Sequence, residues 1–137
     1  MATARDIMHP HAQCIQSHDT AANAARRMAE YGIGALPICD AEEQIKGMVT
    51  DRDLAVRVMA AGHDAATYTV DRLPQSHLVL ADANEDVEVT IAKMKEHQVN
   101  RLPVIDEGRL VGIIALADVS RRMPESVTGG LVESIRA

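Results

Sequence analysis

Aromatic side chains are nearly missing from these 137 residues, with no Phe, no Trp and only two Tyr. That excludes the stacking platforms that hold single-stranded nucleic acids. It also demands an aliphatic core, in which the seven Met act as gap fillers. An excess of positive charge is missing too, and a net charge of −6 argues against a nucleic-acid partner. No apolar run approaches the length of a membrane span. The opening residues Met1 to Asp6 lead into no apolar signal region, so the expectation is a cytoplasmic protein without a membrane partner. A nucleophile elbow, a P-loop and an HExxH motif are all absent, so no catalytic residue is assigned and no enzyme is expected.

What is present suffices for a folded domain: 47% of the residues are hydrophobic, which excludes a disordered chain of this length. The chain is also written twice. Pro37 in Gly34-Ala35-Leu36-Pro37-Ile38-Cys39-Asp40 and Pro103 in Asn100-Arg101-Leu102-Pro103-Val104-Ile105-Asp106 stand 103 − 37 = 66 positions apart. The same offset aligns Met28 with Met94 and the lead-in Thr3 to Met8 with Thr69 to Pro74. After one residue is lost in a loop, Gly47-Met48-Val49-Thr50-Asp51-Arg52-Asp53 aligns with Gly112-Ile113-Ile114-Ala115-Leu116-Ala117-Asp118.

Each copy reads as β-α-β-β-α. A lead-in (Ala4 to Met8; Val70 to Leu73) precedes a short strand near Ala12 to Gln16, or Leu78 to Ala81. Ala21, Ala24, Ala25 and Met28 line one face of the first helix, and Val87, Ile91 and Met94 line its counterpart. Hairpins follow at Ala35 to Cys39 with Ile45 to Thr50, and at Leu102 to Ile105 with Leu110 to Ala115. Leu54, Ala55, Val58 and Met59 supply the apolar face of the helix that closes copy one. The expected organisation is 1–62 and 63–124 as the two repeats, then a tail, 125–137, whose Val127, Leu131 and Ile135 have helical spacing. One copy cannot bury its own sheet face. Two packed about a pseudo-twofold axis can, in a mixed α/β (α+β) fold with two equivalent clefts.

The strand-to-helix junction at Thr50 carries the candidate chemistry. Thr50 suits the N-cap and Asp53 the N3 position of a capping box. The same geometry suits a nucleotide: a helix N-terminus attracts anions, Arg52 can meet phosphate oxygens, and a carboxylate such as Asp53 can accept from a ribose diol.

The doubled unit, the Leu-Pro-Val/Ile-x-Asp strand and the Gly-h-h-Thr-x-x-Asp junction (h, apolar) together resemble a tandem cystathionine-β-synthase (CBS) domain pair, from about Thr3 to Met123. The chain is also similar to small stand-alone CBS proteins of actinobacterial stress and hypoxic responses. The resemblance implies a regulatory homodimer that binds an adenosine-containing ligand (AMP, ADP, ATP or S-adenosylmethionine) and signals to a separate protein effector. It requires no cofactor. Carried over residue by residue, it implies Asp53 on the ribose, Thr50 at the ribose or phosphate and Arg52 at the phosphate, with Arg101 and Asp118 serving copy two. Asn100 departs from the family's His, and Ala115 stands where the family has Thr or Ser. Unequal sites are therefore expected, with the Thr50/Asp53 site the better one.

Two further groups keep alternatives open. Cys14 and Cys39 fall on strands expected to be parallel neighbours, so either a disulfide or two thiols fits. His9, His11 and His77 are candidates for zinc, with His77 at the repeat-equivalent position of His11, against a plain reading as loop histidines. No tight Cys/His ligand spacing supports a metal site. The alternative function is a ligand-free structural or zinc-binding dimeric stress protein.

Overall fold

The computed structural model describes residues 2–10, 12–75 and 78–122, without the side chains of Asp118, Ser120 and Arg122. In chain order the elements are α1 (Ala4–Ile7), β1 (His9–Pro10), β2 (Ile15–Gln16), α2 (Ala21–Tyr31), β3 (Ala35–Cys39), β4 (Ile45–Thr50) and α3 (Asp51–Asp53), which continues as a π-helical segment over Leu54–Met59. A 3₁₀ turn (Val70–Arg72), β5 (Ala81–Asp82), α4 (Val87–His97), β6 (Arg101–Asp106), β7 (Arg109–Ala115) and α5 (Leu116–Arg122) complete the described chain. The fold is mixed α/β with two repeats. Among the described residues no helix is long and apolar enough to cross a membrane. The tail with Val127, Leu131 and Ile135 lies outside the described residues.

The packing units are not the sequence repeats. Among the described residues, those of 2–12 pack with those of 79–122, and those of 13–78 form the other unit. The cause is an exchange of lead-ins, repeated at the 66-residue offset. In one unit Ala4 N donates to Glu85 O and Arg5 N to Ala83 O, both at 3.0 Å. In the other, Val70 N donates to Asp19 O at 2.8 Å and Asp71 N to Ser17 O at 3.0 Å. Each lead-in thus docks on the helix start of the other copy. The bridges Thr3–Asp86 and Thr20–Thr69 repeat the pattern.

The Gln13–Leu78 unit holds a three-stranded sheet in the order β2-β3-β4, with β2 parallel and β4 antiparallel to β3. Ile15, Leu36, Ile38 and Val49 bury its face against Ala21, Ala24 and Met28 of α2. Ala25 is exposed, so the apolar stripe of α2 is narrower than its alanines suggest. Thr20 caps α2 by accepting from Asn23 N at 3.2 Å, and Gly32 ends it in the left-handed conformation at φ 64°.

The other unit holds a four-stranded sheet, β1-β7-β6-β5. Leu102, Val104 and Ile114 pack against Val87, Ile91 and Met94 of α4, as their spacing predicts. Strand β1 has no counterpart in the sequence reading. It pairs with β7 through His9–Ile113 and Pro10–Gly112. The junction glycine explains itself here: a Cβ on Gly112 would lie 2.6 Å from His9 O and 2.5 Å from Met8 Sδ. At Gly47 the corresponding neighbour is the Gln75 side chain, whose Oε1 accepts from Met48 N at 3.0 Å.

The first strand of each repeat is only two residues long. The parallel pairing covers Ile38 and Cys39 in one sheet, and Val104 and Ile105 in the other. Both stretches begin just past a proline, Pro37 or Pro103, which has no N–H to donate. That register places β5 at Ala81–Asp82 rather than Leu78 to Ala81. The Cys14–Cys39 pair is a disulfide with Cα atoms 5.7 Å apart, closing a separation of 25 residues.

Candidate functional site

At the end of β4 the chain leaves an extended residue, Thr50, and turns directly into a helix. Thr50 Oγ1 accepts from Asp53 N at 3.1 Å, and Asp53 Oδ2 accepts from Thr50 N at 3.0 Å. The capping box read from the sequence is therefore complete. The other donors of the first turn are also engaged. Asp51 N donates to Gly34 O at 2.9 Å, and Arg52 N to Asp51 Oδ1 at 2.8 Å. Asp51 is not among the site residues expected from the sequence. Its place directly after the cap in Thr50-Asp51-Arg52-Asp53 is the signal that would have found it.

Side-chain capacity remains after the cap is made. A hydroxyl has one donor beside its two acceptor positions, so Thr50 can accept from Asp53 N and still donate. Asp53 is half-buried, and its Oδ1 accepts from no group among the described residues. Arg52 is exposed, and among the described residues no carboxylate pairs with it. One strand–helix junction thus gathers a hydroxyl donor, a carboxylate acceptor and an unpaired guanidinium.

The junction of the second repeat is built on the same backbone with different chemistry. Leu116 N donates to Asn100 O at 2.8 Å, matching the bond from Asp51 N to Gly34 O. Arg101 sits opposite Ala115 across β6 and β7, where the first repeat sets Ala35 opposite Thr50. Ala115 has no hydroxyl to cap with or to offer a ligand. Arg101 is exposed, and among the described residues it has no carboxylate partner. Asp118 lies in α5, with its side chain outside the description. Thr50, Arg52 and Asp53 therefore belong to one packing unit, and Arg101 and Asp118 to the other.

Past Asp53 the helix departs from the predicted face. Ala60 N donates to Ala55 O and His63 N to Val58 O, both at 2.9 Å, which are i→i+5 bonds. The wider turn spoils the 3.6-residue spacing. Val58 is buried, but Ala55 is exposed and Met59 is 79% exposed.

Of the zinc candidates, His9 is exposed on β1 opposite Ile113, while His11 and His77 lie outside the described residues. Among the described residues no group of three or more His, Cys, Asp or Glu is placed to hold a metal ion. As a disulfide, Cys14 and Cys39 supply no thiolate ligands.

The family model described as "CBS domain" matches residues 4–60 and 70–125. The chain is 44% identical over 135 residues to Hypoxic response protein 1 of Mycobacterium tuberculosis, covering 98% of this chain and 94% of that protein. A crystal structure of Hypoxic Response Protein I with two coordinated zinc ions superposes with a TM-score of 0.81 at 45% identity, covering 90% of this chain and all of that one. The CBS domain pair of protein MJ0100, in complex with 5′-methylthioadenosine and S-adenosylmethionine, superposes with a TM-score of 0.77 at 26% identity, covering 88% and 94%.

Proposed function

The chain belongs to the CBS domain family, and on that premise we propose that it is a regulatory module binding an adenosine-containing ligand at the Thr50–Asp53 junction. The supporting observation is that capping leaves other atoms of the same residues uncommitted among the described residues. Asp53 Oδ2 is committed to Thr50 N and Oδ1 is not, and Thr50 accepts without spending its own proton. On this reading Asp53 Oδ1 accepts from the ribose hydroxyls, Thr50 Oγ1 donates to the ribose or phosphate, and Arg52 neutralises the phosphate. Because the backbone donors of the first turn are already engaged, phosphate recognition falls to side chains. The adenosine ligands of the MJ0100 pair support the ligand class.

The repeats are taken as 1–62 and 63–124, with 125–137 as a tail, and the protein as a cytoplasmic homodimer formed through its CBS faces. The second junction, with Arg101 and Asp118 but Ala115 for the hydroxyl, is the weaker site. Ligand binding stabilises the folded chain by mass action, about 2.7 kcal/mol at a hundredfold excess over Kd. Signalling requires that the ligand favour one packing of the chain over another and that a separate effector read it, in a stress or hypoxic response. The test is titration of the metal-free protein with AMP, ADP, ATP and S-adenosylmethionine. Saturable binding supports the reading, and no binding to folded protein refutes it.

A second reading has one observation in its favour, the two zinc ions in the relative at 45% identity. The zinc candidates of this chain are His9, His11 and His77, and among the described residues no group of three or more His, Cys, Asp or Glu could hold a metal ion. Zinc titration with chelator reversal separates the readings.

A further inference from the structure

The two residues of the Cys14–Cys39 bond are not equally buried. Cys39 is fully buried at the end of β3, whereas Cys14 is half-buried just ahead of β2. Little else holds that segment to the sheet. The chain enters its packing unit at Gln13, one residue before the bond. Strand β2 pairs with only Ile38 and Cys39, because the pairing stops short of Pro37. Cys14 O accepts from Arg27 Nη1 of α2 at 2.6 Å, Gln16 O accepts from Asp19 N at 3.0 Å, and Ser17 O accepts from Asp71 N at 3.0 Å. The apolar anchor is one side chain, Ile15, which is fully buried. A two-residue strand is a weak edge, and here a covalent bond supplements it.

We propose that the Cys14–Cys39 disulfide is a reversible redox clasp whose opening loosens the β2 edge of its sheet without unfolding the unit. The reductant is a dithiol. Its thiolate attacks Cys14 Sγ, since the Cys39 sulfur is shielded. A new S–S bond forms to Cys14, the Cys14–Cys39 bond breaks, and its electron pair leaves on Cys39 Sγ, which takes up a proton. The second thiol of the reductant then displaces Cys14 in the same way. The products are a cyclic disulfide and two protein thiols, so two electrons and two protons have passed to the protein. A monothiol stops at the mixed disulfide on Cys14, which Cys39 reverses from its neighbouring position. Re-closure uses a small-molecule disulfide, which is reduced to two thiols as the protein bond forms.

A clasp and a simple staple differ in where the effect falls. A disulfide that acts only by restricting the unfolded chain changes the stability of the whole unit. A clasp changes local opening at the edge it holds.

Hydrogen exchange followed by mass spectrometry on the full chain separates the two. After dithiothreitol reduction, peptides covering 13–17 exchange about tenfold faster or more, while α2, β3 and β4 keep their rates. A monothiol at equal thiol concentration leaves the slow pattern, and oxidised glutathione restores it after dithiol treatment. Cys14→Ser shows the fast pattern with or without dithiol, and as a single change beside an intact Cys39 it provides a check independent of reductant. An equal change across the unit, no change at 13–17, or a bond that resists dithiol in the folded protein overturns the proposal.

Discussion

Thr50 and Asp53 cap one another: the side chain of each accepts from the backbone N–H of the other, at 3.1 and 3.0 Å. The relationship fixes the carboxylate at the mouth of the helix and leaves one of its oxygens uncommitted. Reciprocal capping also makes the two residues energetically interdependent. Thr50→Ala and Asp53→Ala should each lower stability by about 1 kcal/mol, and the double variant should lose clearly less than their sum. Urea unfolding of the four proteins checks this, and strict additivity would show two independent contacts.

The two junction glycines predict unequal tolerance. A Cβ at Gly112 meets the backbone carbonyl of His9, whereas one at Gly47 meets the flexible end of Gln75. Gly112→Ala should destabilise by roughly 1–3 kcal/mol by prising β1 from β7, and Gly47→Ala by less than about 1 kcal/mol. The comparison is made by thermal unfolding of the two single variants.

Helix α4 ends on a residue in the left-handed region that is not glycine: Gln98, at φ 51°. Its repeat partner at the end of α2 is Gly32. Gln98→Gly should therefore stabilise the protein, by about 0.5–1 kcal/mol, because the backbone there favours glycine. A raised unfolding midpoint is the expected readout, and an unchanged or lowered one counts against the strain.

Glu85 supplies a pH dependence. Burial works against its charged form, but hydrogen bonds from Lys93 Nζ, Thr90 Oγ1 and Asp82 N outweigh that effect and hold the carboxyl below its ordinary range. A lowered folded-state pKa contributes stability that is present above the unfolded value of about 4.3 and lost as the pH falls through the folded value. The stability gap between wild type and Glu85→Gln should therefore be open near neutral pH and close in acid. Thr90 is fully buried, so Thr90→Val tests the same network and should cost about 1 kcal/mol through the lost hydroxyl. A gap independent of pH would remove Glu85 from the account.

Much of the fold can be read from the residues themselves. The hairpin around Leu36-Pro37-Ile38 and its echo around Leu102-Pro103-Val104 place β3, β4, β6 and β7 to within a residue or two, because apolar runs broken by polar turns leave little choice. The lead-in exchange is not readable. Thr3 to Met8 and Thr69 to Pro74 resemble each other, so either would fit either copy, and only tertiary packing decides between them. The exposure of Met59 escapes for another reason: helical spacing presumes 3.6 residues per turn, and the π segment breaks that period. At the site, the residue types of the capping box announce it. The engagement of every first-turn donor does not show, because it depends on Gly34 O, 17 positions away from Asp51 in sequence.

On the proposed function, an adenosine ligand is held by the carboxylate oxygen of Asp53 that the cap does not use. Isothermal titration of metal-free wild type, Asp53→Ala, Asp53→Asn and Asp118→Ala with AMP, ATP and S-adenosylmethionine addresses it most directly, with circular dichroism confirming that each variant is folded. Wild type should bind saturably, both Asp53 variants should lose about tenfold or more in affinity, and Asp118→Ala should lose less. Equal losses at Asp53 and Asp118 would contradict the unequal junctions, and undiminished binding by folded Asp53→Ala would contradict the site itself.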